Sequence, residues 1–152
     1  MNEEAIKVLR SIPKLKRNCL SSDILSEREI ISPVASSKVG ISTKELDEYG
    51  GNILKSYGAK SAPYETYGFP GYTCISINNE AAHGIPSENK ILKEGDLINI
   101  DVSAELNGFW SDNGGSFVIG NDTFNHQPLV NASKNILRKA ITNIKGGVKI
   151  AD

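Results

Sequence analysis

The sequence has few cysteines, no excess of charge of either sign and no long apolar run. Its two cysteines, Cys19 and Cys74, form neither a metal-ligand spacing nor a disulfide framework. Seventeen basic side chains stand against eighteen acidic ones, which excludes the strongly basic surface of a nucleic-acid-binding protein. The N-terminus is acidic and no apolar run approaches membrane-spanning length, so we expect a cytoplasmic protein with no membrane association.

The composition is that of an ordinary globular domain. Of the 152 residues, 39% are apolar and 23% are charged, which suffices for one domain with a core. Ser42 and Glu45 have the spacing of a capping box, which predicts a helix over about residues 42–57. The pair Gly50-Gly51 costs this helix about 1 kcal/mol per glycine relative to alanine, so tertiary packing must stabilise it.

Strand patterns and helix patterns are both present elsewhere, which predicts an α+β fold. An apolar run predicts a strand from Cys74 to Ile77, where Cys74 has the surroundings of a packed strand thiol. Residues 61–71 are rich in proline and glycine and are predicted to form a loop. Apolar periodicity predicts a helix over about residues 130–145.

The strongest local signal is Asn107-Gly108 between two apolar-rich runs. Both residues suit the positive φ angles of a two-residue type I′ turn, so residues from about 97 to 118 are predicted to form a β-hairpin. In that register Asp112 lies opposite Ser103. Because Asp101 is two residues from Ser103 on the same strand, both aspartates are predicted to lie on one face.

Two carboxylates on one face suit a pair of divalent metal ions. Diagonal neighbours have Cα atoms about 7–8 Å apart, and paired ions lie about 3.5–4 Å apart between bridging carboxylates. The like charges repel unless they are protonated, solvated or bridged by a cation. Spacing alone favours a simpler interpretation, in which Asp101 and Asp112 belong to the solvent-exposed face of an antiparallel sheet.

A series of ordered motifs bears on this choice. The motifs are Tyr67-Gly68-Phe69-Pro70, Cys74-Ile75-Ser76-Ile77-Asn78, His83-Gly84-Ile85-Pro86, Gly95-Asp96, Asn99-Ile100-Asp101-Val102 and Asn107-Gly108 followed by Asp112. In their order and spacing they resemble the bacterial type I methionine aminopeptidases. The resemblance implies half of a pita-bread fold, in which the two predicted helices pack on an antiparallel sheet. It makes residues 40–152 the N-terminal half of a catalytic domain whose C-terminal half is absent, after an atypical segment over residues 1–39.

The resemblance implies a metal-dependent aminopeptidase. Asp101 and Asp112 match two metal-ligand carboxylates, and His83 matches a catalytic histidine that also binds the substrate at the scissile amide. Taken alone, His83 equally suits a loop-end histidine that satisfies nearby backbone groups. Two divalent ions are implied, with cobalt, manganese or iron(II) expected and zinc as an alternative. The implied partner is the N-terminal methionine of nascent peptides at the ribosome, and the full enzyme is expected to be monomeric.

Further residues match positions that bind ligands in the family. Tyr67, Phe69 and Cys74 match the pocket for the methionine side chain, where a soft sulfur suits a thioether, although the same residues also suit a plain core. Asn99 and Val102 match positions that supply backbone ligands to a monovalent cation in some members.

The sequence departs from the family in ways that bear on activity. Asn113 follows the second carboxylate where better-known members have threonine, and a nearby basic residue is missing, so the tuning of the metals is expected to differ. Family members supply a further histidine and two glutamates from the C-terminal half, and this chain ends at Asp152 before them. Because two carboxylates cannot fill the coordination shells of two ions, this chain alone is expected to be inactive.

Two other functions stay open on the sequence. The missing ligands favour a non-catalytic remnant or binding module that keeps the half-fold. Another pita-bread hydrolase, such as a proline-directed aminopeptidase or a creatinase-like enzyme, is less well supported. The motif His83-Gly84-Ile85-Pro86 and the short N-terminal segment resemble the methionine enzymes more closely.

Overall fold

A computed structural model describes residues 38–149 of the chain. In chain order the elements are α1 (Thr43–Ser56), β1 (Lys60–Ser61), α2 (Ala62–Tyr67), β2 (Cys74–Ile77), β3 (Leu97–Leu106), β4 (Phe109–Val118) and α3 (Gln127–Asn143). The predicted α+β class is confirmed. The predictions made for residues 1–37, including the one for Cys19, lie outside the described residues.

Strand β3 is the centre of a four-stranded antiparallel sheet. Strand β4 pairs with β3 along its whole length, from Leu97 opposite Val118 to Leu106 opposite Phe109. The other edge of β3 is shared by two shorter strands, with β2 beside its first half and β1 beside its second half. The hairpin predicted over residues 97–118 and the strand predicted from Cys74 are therefore both confirmed.

Alternate residues of β3 point to opposite faces of the sheet. The even-numbered residues from 98 to 104 are apolar and buried, and they join apolar residues of α1 in the hydrophobic core. The buried members of this core are Leu46, Leu54, Ala59, Ile75, Leu92, Ile98, Ile100, Val102, Ala104 and Ile119. The opposite side of the sheet carries Asn99, Asp101 and Ser103, which are half-buried, and is called the polar face below.

Helix α1 begins at the predicted capping box. The Glu45 N–H donates to Ser42 Oγ at 3.1 Å, and the Ser42 N–H donates to the Glu45 carboxylate at 2.8 Å. Gly50 and Gly51 are both buried, and a Cβ at Gly51 would lie 2.3 Å from Cδ2 of Tyr72. The Tyr72 ring therefore packs directly on the helix backbone, and this contact offsets the low helix propensity of the glycines.

The prediction of a loop over residues 61–71 was wrong in part, because β1 ends and α2 lies within this range. Pro63 is in the first turn of α2, where its missing N–H costs no helical hydrogen bond. Gly68 ends the helix in the left-handed conformation, with φ of 67°. Both signals are present in the sequence, but a helix of six residues is too short to reveal itself by apolar periodicity.

Helix α3 begins and ends slightly before the predicted bounds of about 130 and 145. Its N-terminus is organised by Asp122, whose carboxylate accepts the N–H groups of His126 at 2.7 Å and Gln127 at 2.8 Å. Val130 is buried, whereas the later turns of the helix are largely exposed. Between residues 38 and 149, no helix combines the length and the hydropathy needed to span a membrane.

Candidate active site

Asp101 and Asp112 lie together on the polar face of the β3–β4 hairpin. Asn107 and Gly108 have φ angles of 53° and 85°, which is the positive range that the predicted turn requires. Ser103 is the strand partner of Asp112, and its hydroxyl donates a hydrogen bond to Asp112 Oδ1 at 2.8 Å. The predicted register is confirmed, so the two aspartates share one face.

Asp112 has a stronger effect on the pKa of Asp101 than any other side chain, because the two carboxyl groups lie close together on one face. The pKa of Asp101 is raised from 3.8 to about 6, first by burial and then by the nearby negative charge of Asp112. The charge of His83 acts in the opposite direction on the pKa of Asp101. A divalent cation between the two carboxylates would remove their repulsion, so the pair fits a cation site.

This pair is not by itself a complete site for a metal ion. Among residues 38–149, no group of three or more His, Cys, Asp or Glu side chains is placed to hold a metal ion. The oxygen atoms of Asp101 and Asp112 suit hard divalent ions, but two carboxylates fill a minority of the positions that such ions offer.

His83 is attached to β2 through the backbone of the residue that follows it. The Gly84 N–H donates to Ser76 Oγ at 3.0 Å, and the Ile75 N–H donates to the Gly84 carbonyl at 2.9 Å. His83 itself has a φ of 54°, and it is exposed within electrostatic reach of Asp101. A fixed backbone thus presents an accessible imidazole beside the carboxyl pair.

Phe69 and Cys74 are buried and Tyr67 is exposed, and Cys74 lies next to the carboxyl pair. Cys74 is the strand partner of Asp101, and neither Cys74 nor Phe69 belongs to the hydrophobic core defined above. Burial raises the pKa of the Cys74 thiol to about 11, helped by the negative charges of nearby carboxylates, so the thiol stays protonated at neutral pH. The Tyr67 ring is 66% exposed and meets the Phe69 ring edge-on, with 6.4 Å between the centroids.

The two residues matched to monovalent cation binding lie on opposite faces of β3. Asn99 is on the polar face, where its Nδ2 donates to Ser116 Oγ at 2.9 Å. Val102 is buried in the core. The structure does not bring their side chains together, and a role for their carbonyl oxygens stays a prediction.

Two buried polar residues near the site were not predicted from the sequence. Ser76 accepts the hydrogen bond that attaches the His83 segment to β2. Asp47 in α1 is fully buried, and its Oδ1 accepts hydrogen bonds from the Tyr72 N–H at 2.8 Å, the Thr73 N–H at 2.8 Å and the Thr73 hydroxyl at 2.9 Å. The Asp47 contacts join residues 25 and 26 positions apart and the Ser76 contact joins residues eight positions apart, and no local sequence pattern indicates either.

We expect Asp101 to titrate near pH 6 in the metal-free chain. Because the folded state favours the protonated form, the contribution of Asp101 to the free energy of unfolding is present at low pH and is lost as the pH rises from about 4 to about 6. The NMR shift of the Asp101 carboxyl carbon checks this midpoint, which Zn²⁺ is expected to move below 6.

Asp122 is an internal control in the same spectrum. The Gln127 and His126 N–H groups lower the pKa of Asp122, so its carboxyl should titrate in the ordinary acidic range or below. An Asp101 midpoint near 4 without metal would contradict the burial of Asp101 beside Asp112.

Comparison with known proteins relates these features to a family. A family model described as "Metallopeptidase family M24" matches residues 20–152. Methionine aminopeptidase 2 of Bacillus subtilis (strain 168) is 52% identical over 108 residues, which cover 71% of this chain and 43% of the relative. The methionine aminopeptidase of Haemophilus influenzae is 37% identical over 151 residues, which cover 95% of this chain and 53% of the relative. The chain thus spans about half the length of these curated relatives.

A solved structure shows that the similarity extends to the three-dimensional fold. The crystal structure of methionine aminopeptidase from Thermotoga maritima superposes with a TM-score of 0.72 at 30% sequence identity. The superposition covers 80% of this chain and 48% of that chain. The similarity therefore extends through most of this chain but through only half of the solved one.

Proposed function

Because this chain belongs to metallopeptidase family M24, we propose that it takes part in the hydrolytic removal of the N-terminal methionine from nascent proteins. Its antiparallel sheet and helices are half of a pita-bread fold. The register of the β3–β4 hairpin carries the proposal, since it places Asp101 and Asp112 diagonally next to each other on one face, where the charge of His83 also acts on Asp101. Residues 40–152 are proposed to be the N-terminal half of the catalytic domain, preceded by a separate segment over residues 1–39.

In this proposal Asp101 and Asp112 hold divalent metal ions. Their oxygen ligands suit cobalt, manganese or iron(II), with zinc as the alternative. Such ions, when bound, lower the pKa of a coordinated water to near neutrality and polarise the scissile carbonyl. The Ser103 hydroxyl orients the Asp112 carboxylate by its hydrogen bond, in the way that outer-sphere groups fix metal ligands.

The residues around the carboxyl pair are proposed to bind and orient the substrate. Phe69 and Cys74 form the apolar wall of the methionine pocket, and the protonated, polarizable thiol suits a thioether. Tyr67 covers the rim of this pocket through its contact with Phe69. His83 donates a hydrogen bond from its exposed imidazole at the scissile amide, and its fixed backbone keeps the donor in position.

The remaining metal ligands are proposed to come from the other half of the catalytic domain. The assembled enzyme acts as a cytoplasmic monomer on nascent peptides at the ribosome, and the carbonyl groups of Asn99 and Val102 bind a monovalent cation. A non-catalytic binding module is the second candidate. It is favoured by the lack of any group of three or more metal-binding side chains within residues 38–149.

A chimera tests the proposal. Residues 38–149 replace the matching part of Bacillus subtilis methionine aminopeptidase 2, and release of methionine from a Met-Ala-Ser peptide is measured with Mn²⁺ or Co²⁺. We expect the chimera to release methionine and the 152-residue chain alone to release none, because residues 38–149 hold no group of three or more metal-binding side chains and two ions require more ligands than that. A folded, metal-loaded chimera without activity would favour the binding module. Robust release by the chain alone would refute the need for further ligands.

A further inference from the structure

We infer that Asp47 is a positioning residue that holds the two loops of the site, residues 69–74 and 83–86, in a fixed relation to each other. The inference rests on the proposed function, because these loops carry the pocket residues and His83. Within residues 38–149, Asp47 forms no hydrogen bond with Asp101 or Asp112, nor with the proposed pocket residues Phe69 and Cys74. Its effect would be transmitted through the backbone that it binds.

The first loop is fixed by a single oxygen atom. Asp47 Oδ1 accepts three hydrogen bonds from Tyr72 and Thr73, each 2.8 or 2.9 Å long. Two of the donors are consecutive backbone N–H groups, so the bonds set the direction in which the chain enters β2. Thr73 is 1% exposed, so solvent water has no free access to the two Thr73 donors if the carboxylate is removed. The residue that follows them is Cys74, the strand partner of Asp101.

The second loop contacts the first at the same place. A Cβ at Gly71 would lie 3.0 Å from Pro86 Cγ and 3.3 Å from Asp47 Oδ1, so Gly71 is packed between them. Pro86 is buried and ends the segment that begins at His83. A displacement of Gly71 would therefore change the distance between the pocket and the imidazole.

The two oxygens of Asp47 have different surroundings, which makes the inference testable. Within the described residues, Oδ2 is buried without a hydrogen-bond partner and lies 3.6 Å from Lys44 Nζ. Asparagine retains an oxygen acceptor in place of Oδ1 and loses only the charge. The variants Asp47→Asn and Asp47→Ala therefore separate the accepted hydrogen bonds from the ion pair.

Amide hydrogen exchange in the 152-residue chain tests the contact directly. In Asp47→Ala we expect the Tyr72 and Thr73 amides to exchange at least about 10-fold faster relative to the core amide of Ile100, because their acceptor is gone. In Asp47→Asn the protection should stay within about threefold of wild type, because the acceptor remains. The control is Leu54→Ala, a buried α1 residue of the main core, which lowers stability without removing this acceptor.

Substrate selectivity in the chimera tests the consequence. We expect Asp47→Ala to raise KM for Met-Ala-Ser and to lower the ratio of kcat/KM for Met-Ala-Ser over Leu-Ala-Ser by about 10-fold, because the pocket moves relative to the imidazole. Asp47→Asn should restore the ratio to within about threefold of wild type. Leu54→Ala reduces only the amount of folded enzyme, so KM and the ratio should not change.

These experiments test the role of Asp47 separately from the proposed function. Unchanged exchange at Tyr72 and Thr73 in Asp47→Ala would overturn the inference, as would an unchanged selectivity ratio in an active chimera. Asp47→Asn behaving like Asp47→Ala would also overturn it, because the charge would then be the essential property. A wild-type chimera that folds without activity overturns the proposed function alone, and amide exchange still decides the role of Asp47.

Discussion

Replacing Asp101 with asparagine in the chimera will reduce methionine release by at least about 10³-fold, which corresponds to about 4 kcal/mol of transition-state stabilisation. Asparagine keeps the size of the side chain and its place opposite Cys74, but it lacks the negative charge with which Asp101 is proposed to hold a divalent ion. Asp112 then keeps no carboxylate partner at position 101. We expect metal content, measured by mass spectrometry on the purified protein, to fall together with activity.

Asp122→Asn is the matched control for this loss. Asp122 is exposed and its carboxylate binds only local backbone N–H groups at the start of α3. Its substitution removes the same charge outside the site, so activity and metal content should stay within about twofold of wild type, as for most surface substitutions. Full activity and metal content in Asp101→Asn would show that the two aspartates are ordinary polar residues on the solvent-facing side of the sheet.

Substituting Gly84 with alanine is expected to have the second largest effect. A Cβ at this position would lie 2.1 Å from the Ile75 carbonyl oxygen and 2.7 Å from Ser76 Cα. These are backbone atoms of β2, and Ile75 is fully buried in the core, so no flexible group can move aside. The Gly84 segment must separate from the strand, which would break two hydrogen bonds and displace His83. We expect the free energy of unfolding to fall by about 3 kcal/mol, measured by urea denaturation of the chain.

Gly146→Ala provides the matched control for steric crowding. A Cβ at Gly146 would meet no atom within 4 Å, and its φ is not among the positive values. The same added methyl group should therefore change the free energy of unfolding by no more than about 0.5 kcal/mol. If Gly84→Ala were as stable as Gly146→Ala, the contact between the His83 loop and β2 would be refuted.

The parts of the fold that could be predicted are those that short stretches of sequence encode. The turn at Asn107-Gly108 requires two positive φ angles, and few other residues tolerate them, so the hairpin and its register follow from the dipeptide. The start of α1 follows in the same way from Ser42 and Glu45, whose reciprocal hydrogen bonds involve residues three positions apart. In both cases the interacting groups are neighbours in the chain.

The parts that could not be predicted depend on contacts between distant segments. Asp47 binds the backbone of residues 25 and 26 positions later, and nothing around it in the sequence distinguishes it from a solvent-exposed helix residue. Ser76 likewise resembles an ordinary strand serine until the Gly84 N–H is seen to donate to it. The start of α3 was placed too late because apolar periodicity begins at Val130, whereas Asp122 and Pro128 start the helix earlier.

The alternation of β3 links the orientation of the polar face to that of the core. The residues at 98, 100, 102 and 104 fill the interior only while the neighbouring odd positions face the opposite side. Insertion or deletion of one residue within β3 would exchange the faces of the residues beyond it, so apolar side chains would turn outward and polar ones inward. Selection for a folded chain alone thus preserves the direction of the Asp101 carboxylate, because a change in the length of β3 that reverses the alternation also disrupts the core.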